Sequence, residues 1–117
     1  MIARIWHGLT TPANADAYQQ LFLTHVVPDV EARNIAGFLQ IDVLRRDVVL
    51  DGSDAVEFTT IMAFDTIEAI ERFMGDDPTI AHVPPETLPL LLRHDERAVH
   101  YDVLERRAQS EFSRGRP

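Results

Sequence analysis

The spacing of apolar residues changes repeatedly along the chain, and each change marks a new element. Ile2 to Leu9 has the length and the turn-like ending of a strand. "TTPANADAY" then supplies a helix start, with Thr11 as N-cap and Pro12 at the first helical position. Tyr18, Leu21, Phe22, His25 and Val26 recur at helical spacing, and Pro28 is expected to kink or end that helix before the chain leaves through Gly37. "FLQIDVLRR" alternates, with Leu39, Ile41 and Val43 on one face and Phe38, Gln40, Asp42 and Leu44 on the other. "DGSD" is a turn signal, and "AVEFTTIMAF" is a strand placing Val56, Phe58, Thr60, Met62 and Phe64 on a common face. In "DTIEAIERFMGDD", Asp65 and Glu68 form a capping-box-like start. Ile67, Ile70, Phe73 and Met74 make a buried stripe there, and Gly75 stops the helix. "PTIAHVPPETLPLLL" is broken by prolines, and "RAVHYDVLE" reads as a closing strand.

The order β-α-β-β-α-β predicts an α+β, ferredoxin-like βαββαβ fold with a four-stranded antiparallel sheet and both helices on one side. The other side of that sheet is expected to carry Ile2, Trp6, Phe38, Leu44, Ile61, Ala63, Ala98 and Leu104. This is too apolar for a water-facing surface, and a second copy packed sheet to sheet about a two-fold axis would cover it. On this reading Ala3, Ile5 and His7 face the helices. Arg4, Trp6 and His100 lie at the homodimer interface, with Arg4 paired to Glu57, Asp42 or Asp102.

Composition narrows the chemistry. The chain has 117 residues and no cysteine, which removes disulfides, thiolate metal sites and cysteine nucleophiles. All eleven basic side chains are arginine, so no lysine is available as a Schiff-base former or general base. The net charge of −8 is uneven: residues 1–104 carry seven arginines against seventeen acids, a body that repels a phosphate backbone and argues against nucleic acid as a partner. Residues 1–104 are expected to form one domain. The basic stretch 105–117, "ERRAQSEFSRGRP", is expected to be a disordered tail. No apolar run reaches membrane-spanning length and no leader is visible, so a cytoplasmic protein is expected. The five histidines show no HxxxH or HExxH spacing, and neither a phosphate loop nor a GxSxG elbow is present. No metal is expected.

"MIARIWHG", "VLRRD" followed by "VEFTTIMAFDTIEAIERFMGDD", and the closing "HYDVL" resemble the antibiotic biosynthesis monooxygenase-like family over roughly residues 1–104. The resemblance implies a dimeric α+β barrel. It also implies a small apolar pocket between sheet and helices and oxygenation of a small aromatic or carbonyl compound without a cofactor. In such chemistry, loss of a proton makes the substrate electron-rich enough to meet oxygen directly, and the protein supplies a base and a dry pocket. Haem-degrading relatives carry an asparagine on the first strand and a tryptophan and a histidine on or after the second helix. Here the first strand has no asparagine, Phe73 stands near the tryptophan position, and only His82 approximates the histidine. Phe64 stands where many members have tryptophan.

His7 is the first candidate base, as a titratable group on a strand read as facing the helices, and His25 on the first helix is the second. Tyr18, Phe22, Phe64, Phe73, Met74 and Tyr101 would be the pocket walls. Two other readings remain: a non-catalytic ligand-binding or accessory homodimer, and a small proton-transfer enzyme of the isomerase kind.

Overall fold

The computed structural model describes residues 1–109; the outer part of the expected tail, 110–117, lies outside the described residues. Strand β1 (Ile2–Thr10) leads into a long helical stretch made of α1 (Pro12–Leu21), a wider π turn (Phe22–Val26) and α2 (Val27–Ala32). Strands β2 (Phe38–Leu50) and β3 (Ser53–Phe64) form a hairpin, followed by α3 (Ile67–Met74), a 3-10 helix (Pro85–Leu90) and strands β4 (Arg93–His94) and β5 (Val99–Asp102).

The local signals act as their chemistry demands. The Asn14 amide donates to the Thr11 hydroxyl, capping α1 ahead of Pro12. Asp51 and Gly52 both take positive φ, the pair of left-handed residues that a two-residue hairpin turn requires. Thr66, rather than Asp65, caps α3, and Gly75 ends it at φ 88°. Pro28 does not end the long helix. The Val27 amide donates five residues back to the Phe22 carbonyl, and the wide turn before Pro28 lets a residue without an N–H continue as the first turn of α2.

All strand pairings are antiparallel, in the order β2-β3-β1-β4, with β5 also on β1. Two expectations are corrected here. The sheet has five strands rather than four, because Asp95 interrupts the closing strand. Its carboxylate accepts from the His7 amide while its own amide donates to the His7 carbonyl, so β4 and β5 meet β1 on either side of a kink. The sheet is also open, with β2 at one edge and β4 and β5 at the other; it is not closed into a barrel.

The faces of β1 are the reverse of those expected. Ile2, Arg4, Trp6 and Gly8 stand opposite Phe64, Met62, Thr60 and Phe58, and this is the side the helices cover. Ala3, Ile5, His7 and Leu9 lie on the open side beside Ala63, Ile61, Thr59 and Glu57. An irregularity between Phe38 and Gln40 shifts the register, bringing Phe38 against Phe64 on the helix side and leaving Leu39 half exposed.

The core on the helix side has two parts. Tyr18, Phe22, Val26, Val56 and Phe58 pack beneath α1 and the π turn. Val30, Met62, Phe64, Ile70 and Phe73 pack beneath α2 and α3. Among the described residues, no helix is long and apolar enough to cross a membrane.

Candidate functional site

At the seam between the two parts of the core lies a narrow apolar cavity of about 30 Å³. Phe22 and Val26 bound it from one part and Val30, Met62 and Phe73 from the other, with Val27, Ile41 and the hydroxyl-bearing Thr60 completing the wall. The π turn matters to this lining. It advances the helix by one residue, so Val26, Val27 and Val30 point inward and His25 is left exposed.

Besides Thr60, three polar-tipped side chains reach the cavity: Arg4, Trp6 and His82. Arg4 is 3% exposed and has no carboxylate partner among the described residues, and its guanidinium is satisfied by neutral acceptors. It donates to the Pro78 carbonyl, to the Ile80 carbonyl at 2.6 Å and to His100 Nε2 at 2.9 Å. Since guanidinium only donates, His100 Nε2 is the acceptor and must be free of a proton. Burial pulls Arg4 down to about 10, so it stays charged at neutral pH. The same guanidinium lies 5.7 Å from the Phe73 ring centre, and Arg33 lies 5.4 Å from it.

His82 packs edge-on against Phe73 at 5.2 Å. Burial first, then the charges of Arg33 and Arg4, hold it below the ordinary imidazole value, against a weaker pull from Glu86 and Asp29. His100 is lowered likewise, by burial and then by Arg4. Two imidazoles are therefore kept neutral beside a buried cation. Trp6 donates from Nε1 to the Asp95 carbonyl at 2.8 Å and extends over Gly8, where even a Cβ would come within 2.6 Å of the indole. The segment carrying His82 has no regular structure, but it is tied down. Arg97 bridges Asp77 and Thr79, Ala81 donates to the Glu96 carbonyl, and Ala98 donates to the Thr79 carbonyl.

The expected site residues divide between the two faces. Phe22 and Phe73 line the cavity, while Tyr18 and Phe64 are fully buried core and Met74 is packed half-buried against it. Tyr101 is 57% exposed on the open face, paired with Ala3, and is not a pocket wall. His7 also sits on the open face, its Nδ1 2.8 Å from Asp95 Oδ2, away from the cavity. Arg4, Trp6 and His100, expected at an interface, instead face the helix side, because β1 presents its other parity to the helices. Glu57 and Asp42 lie on the open side, where Glu57 pairs with Arg46; Asp102 shares the parity of Arg4 but forms no ion pair with it, and Arg4 finds backbone carbonyls brought by Pro78 and Ile80. His82 was legible in sequence only as a histidine after the second helix, and its inward aim depends on the tethers just described.

Comparison with known proteins supports the architecture. No protein-family model matches the chain, and no curated protein matches it in sequence. A solved structure of a "putative antibiotic biosynthesis monooxygenase" from Bacillus cereus superimposes with a TM-score of 0.61 at 14% identity. The match covers 92% of this chain and 97% of that one. The two chains share a fold.

Proposed function

We propose that this protein binds a small aromatic or carbonyl compound in the cavity between sheet and helices and removes a proton from it, in the manner of a cofactor-independent monooxygenase. The observation that carries this reading is a half-buried histidine, His82, beside a buried cation, Arg4, on the wall of a largely apolar cavity. His82 accepts the substrate's acidic proton, and the guanidinium favours the anion that remains. The anion is electron-rich, and dioxygen is its natural oxidant in a site that excludes water. The fold shared with the Bacillus cereus protein, a "putative antibiotic biosynthesis monooxygenase", supports the reaction class. The cavity is narrow: engineered cavities that take up benzene measure about 150 Å³. Substrate entry therefore requires the Pro78–His82 segment or the valines of α2 to give way.

The single tryptophan of the chain lines the cavity and serves as its reporter. Titration with phenols and anthrones is expected to change Trp6 emission, and His82→Ala is expected to lower oxygen uptake by about 10²-fold or more. Uptake that is equal in wild type and His82→Ala overturns the assignment.

The open face of the sheet supports a homodimer as part of the same reading. Leu44, Val99 and Tyr101 are each about half exposed there, around partly buried Ile5 and Ile61. The pairs His7–Asp95 and Arg46–Glu57 flank them. An apolar centre rimmed by charges of both signs suits a second copy of itself.

A further inference from the structure

We propose that the cavity selects a small aromatic carboxylate, and that Arg4 is both the group that recognises the carboxylate and the latch that keeps the cavity closed in its absence. This rests on the cavity being the ligand site.

Charge is unevenly satisfied in this molecule. Arg45, Arg46, Arg93 and Arg97 each pair with a carboxylate at 2.7–3.2 Å, and all four pairs lie at the exposed surface. The most buried of the arginines in the described core, Arg4, has only neutral acceptors, in a chain whose acids outnumber its arginines nineteen to eleven. A buried cation without a counter-ion is costly, and the missing term is the one that an anionic ligand supplies. The surroundings agree. Arg33 adds a second positive group over Phe73, His82 and His100 stay neutral, and the acids nearest His82, Asp29 and Glu86, are exposed and outside the cavity wall.

The latch follows from what Arg4 now holds. Its donors reach the carbonyls of Pro78 and Ile80, which flank the turn leading to His82, and so tie β1 to the segment that borders the cavity. A carboxylate accepts a guanidinium fork in two parallel bonds, each about twice as strong as a bond to a neutral carbonyl. Such a ligand displaces Pro78 and Ile80 from Arg4 and loosens their segment in the same event, leaving it held by the bonds to Arg97, Glu96 and Ala98. A neutral isostere has to enter against the latch. The cavity of about 30 Å³ is the latched state.

The test compares 4-fluorobenzoate with 4-fluorobenzyl alcohol, followed by fluorine NMR and Trp6 emission on the full chain. The carboxylate is expected to bind at least about tenfold more tightly, with amide exchange at Thr79 and Ile80 becoming faster in its presence. Arg4→Met is expected to abolish the preference, and Arg4→Lys, which keeps the charge without the fork, to retain part of it. The wild-type comparison stands even if Arg4→Met does not fold. Equal affinity for the two compounds, or unchanged exchange at Thr79 and Ile80, overturns the proposal while leaving the cavity as a ligand site. Failure of both compounds to bind overturns the site and the proposal together.

Discussion

The two faces of the sheet meet the same kinds of side chain in opposite circumstances. On the helix side, a histidine and an arginine share an apolar wall with no acid against them: His82 is held neutral, and Arg4 is bonded to carbonyls and to His100. On the open side, His7 is 41% exposed in its side chain and bonded to Asp95, while Arg46 pairs with Glu57. Ion pairs at the wet surface satisfy charge cheaply and leave little chemistry unspent. Where burial removes the water and no acid arrives, the same residue types stay poised for a proton or an anion. Proximity to the sheet decides nothing by itself; the company each group keeps does.

The contrast can be broken most forcefully through packing. Phe64→Ala empties a fully buried site on the helix side and is expected to cost about 3–5 kcal/mol, whereas Thr59→Ala on the open side is expected to stay within about 0.5 kcal/mol. Urea unfolding of the two variants measures the difference, and similar losses would mean that the faces are not distinct. Next in size is association. Light scattering of the wild type is expected to give twice the 13.3 kDa chain mass, and Tyr101→Asp with Leu44→Asp to return it to the single-chain value. A wild type at the single-chain mass would leave the open face a solvated surface.

The smallest effect is in pH. His82 and His100 are lowered in the folded chain, so the unfolded chain takes up protons first, near the ordinary imidazole value of 6.5. The stability they allow is complete above that value and is lost as pH falls from it toward the folded values. Melting temperature is therefore expected to fall between about pH 7.5 and about pH 5.5. His100→Gln is expected to flatten that slope, and a wild-type profile without a fall contradicts the neutral pair.

Much of this architecture was readable from residues whose meaning is local. Thr11 with Pro12, the Asp51–Gly52 turn and Gly75 each act through their own backbone preferences, and each stands where the sequence placed it. The alternation of Val56 to Phe64 also held, since only one face of β3 is consistently apolar. What failed was set by partners distant in sequence. β1 is apolar on both faces, and an arginine at position 4 argued for the outside until Pro78 and Ile80, more than seventy residues on, supplied its acceptors. The register irregularity at Leu39 and the wide turn at Phe22–Val26 each insert one residue without a glycine to announce it, and each moves candidate residues to another face. The kink at Asp95 depends on a carboxylate finding a strand amide, which spacing alone does not reveal.

The wide turn also separates two jobs within one helix. Its first half is anchored by Tyr18 stacked on Phe22 and set against Phe58, and fixes the helix on the sheet. Its second half furnishes the valine wall of the cavity. Gaining or losing a single residue at the junction would turn that wall by about 100° while leaving the anchor and every strand pairing in place. The scaffold thus carries a point at which the shape of the cavity can drift without refolding the sheet.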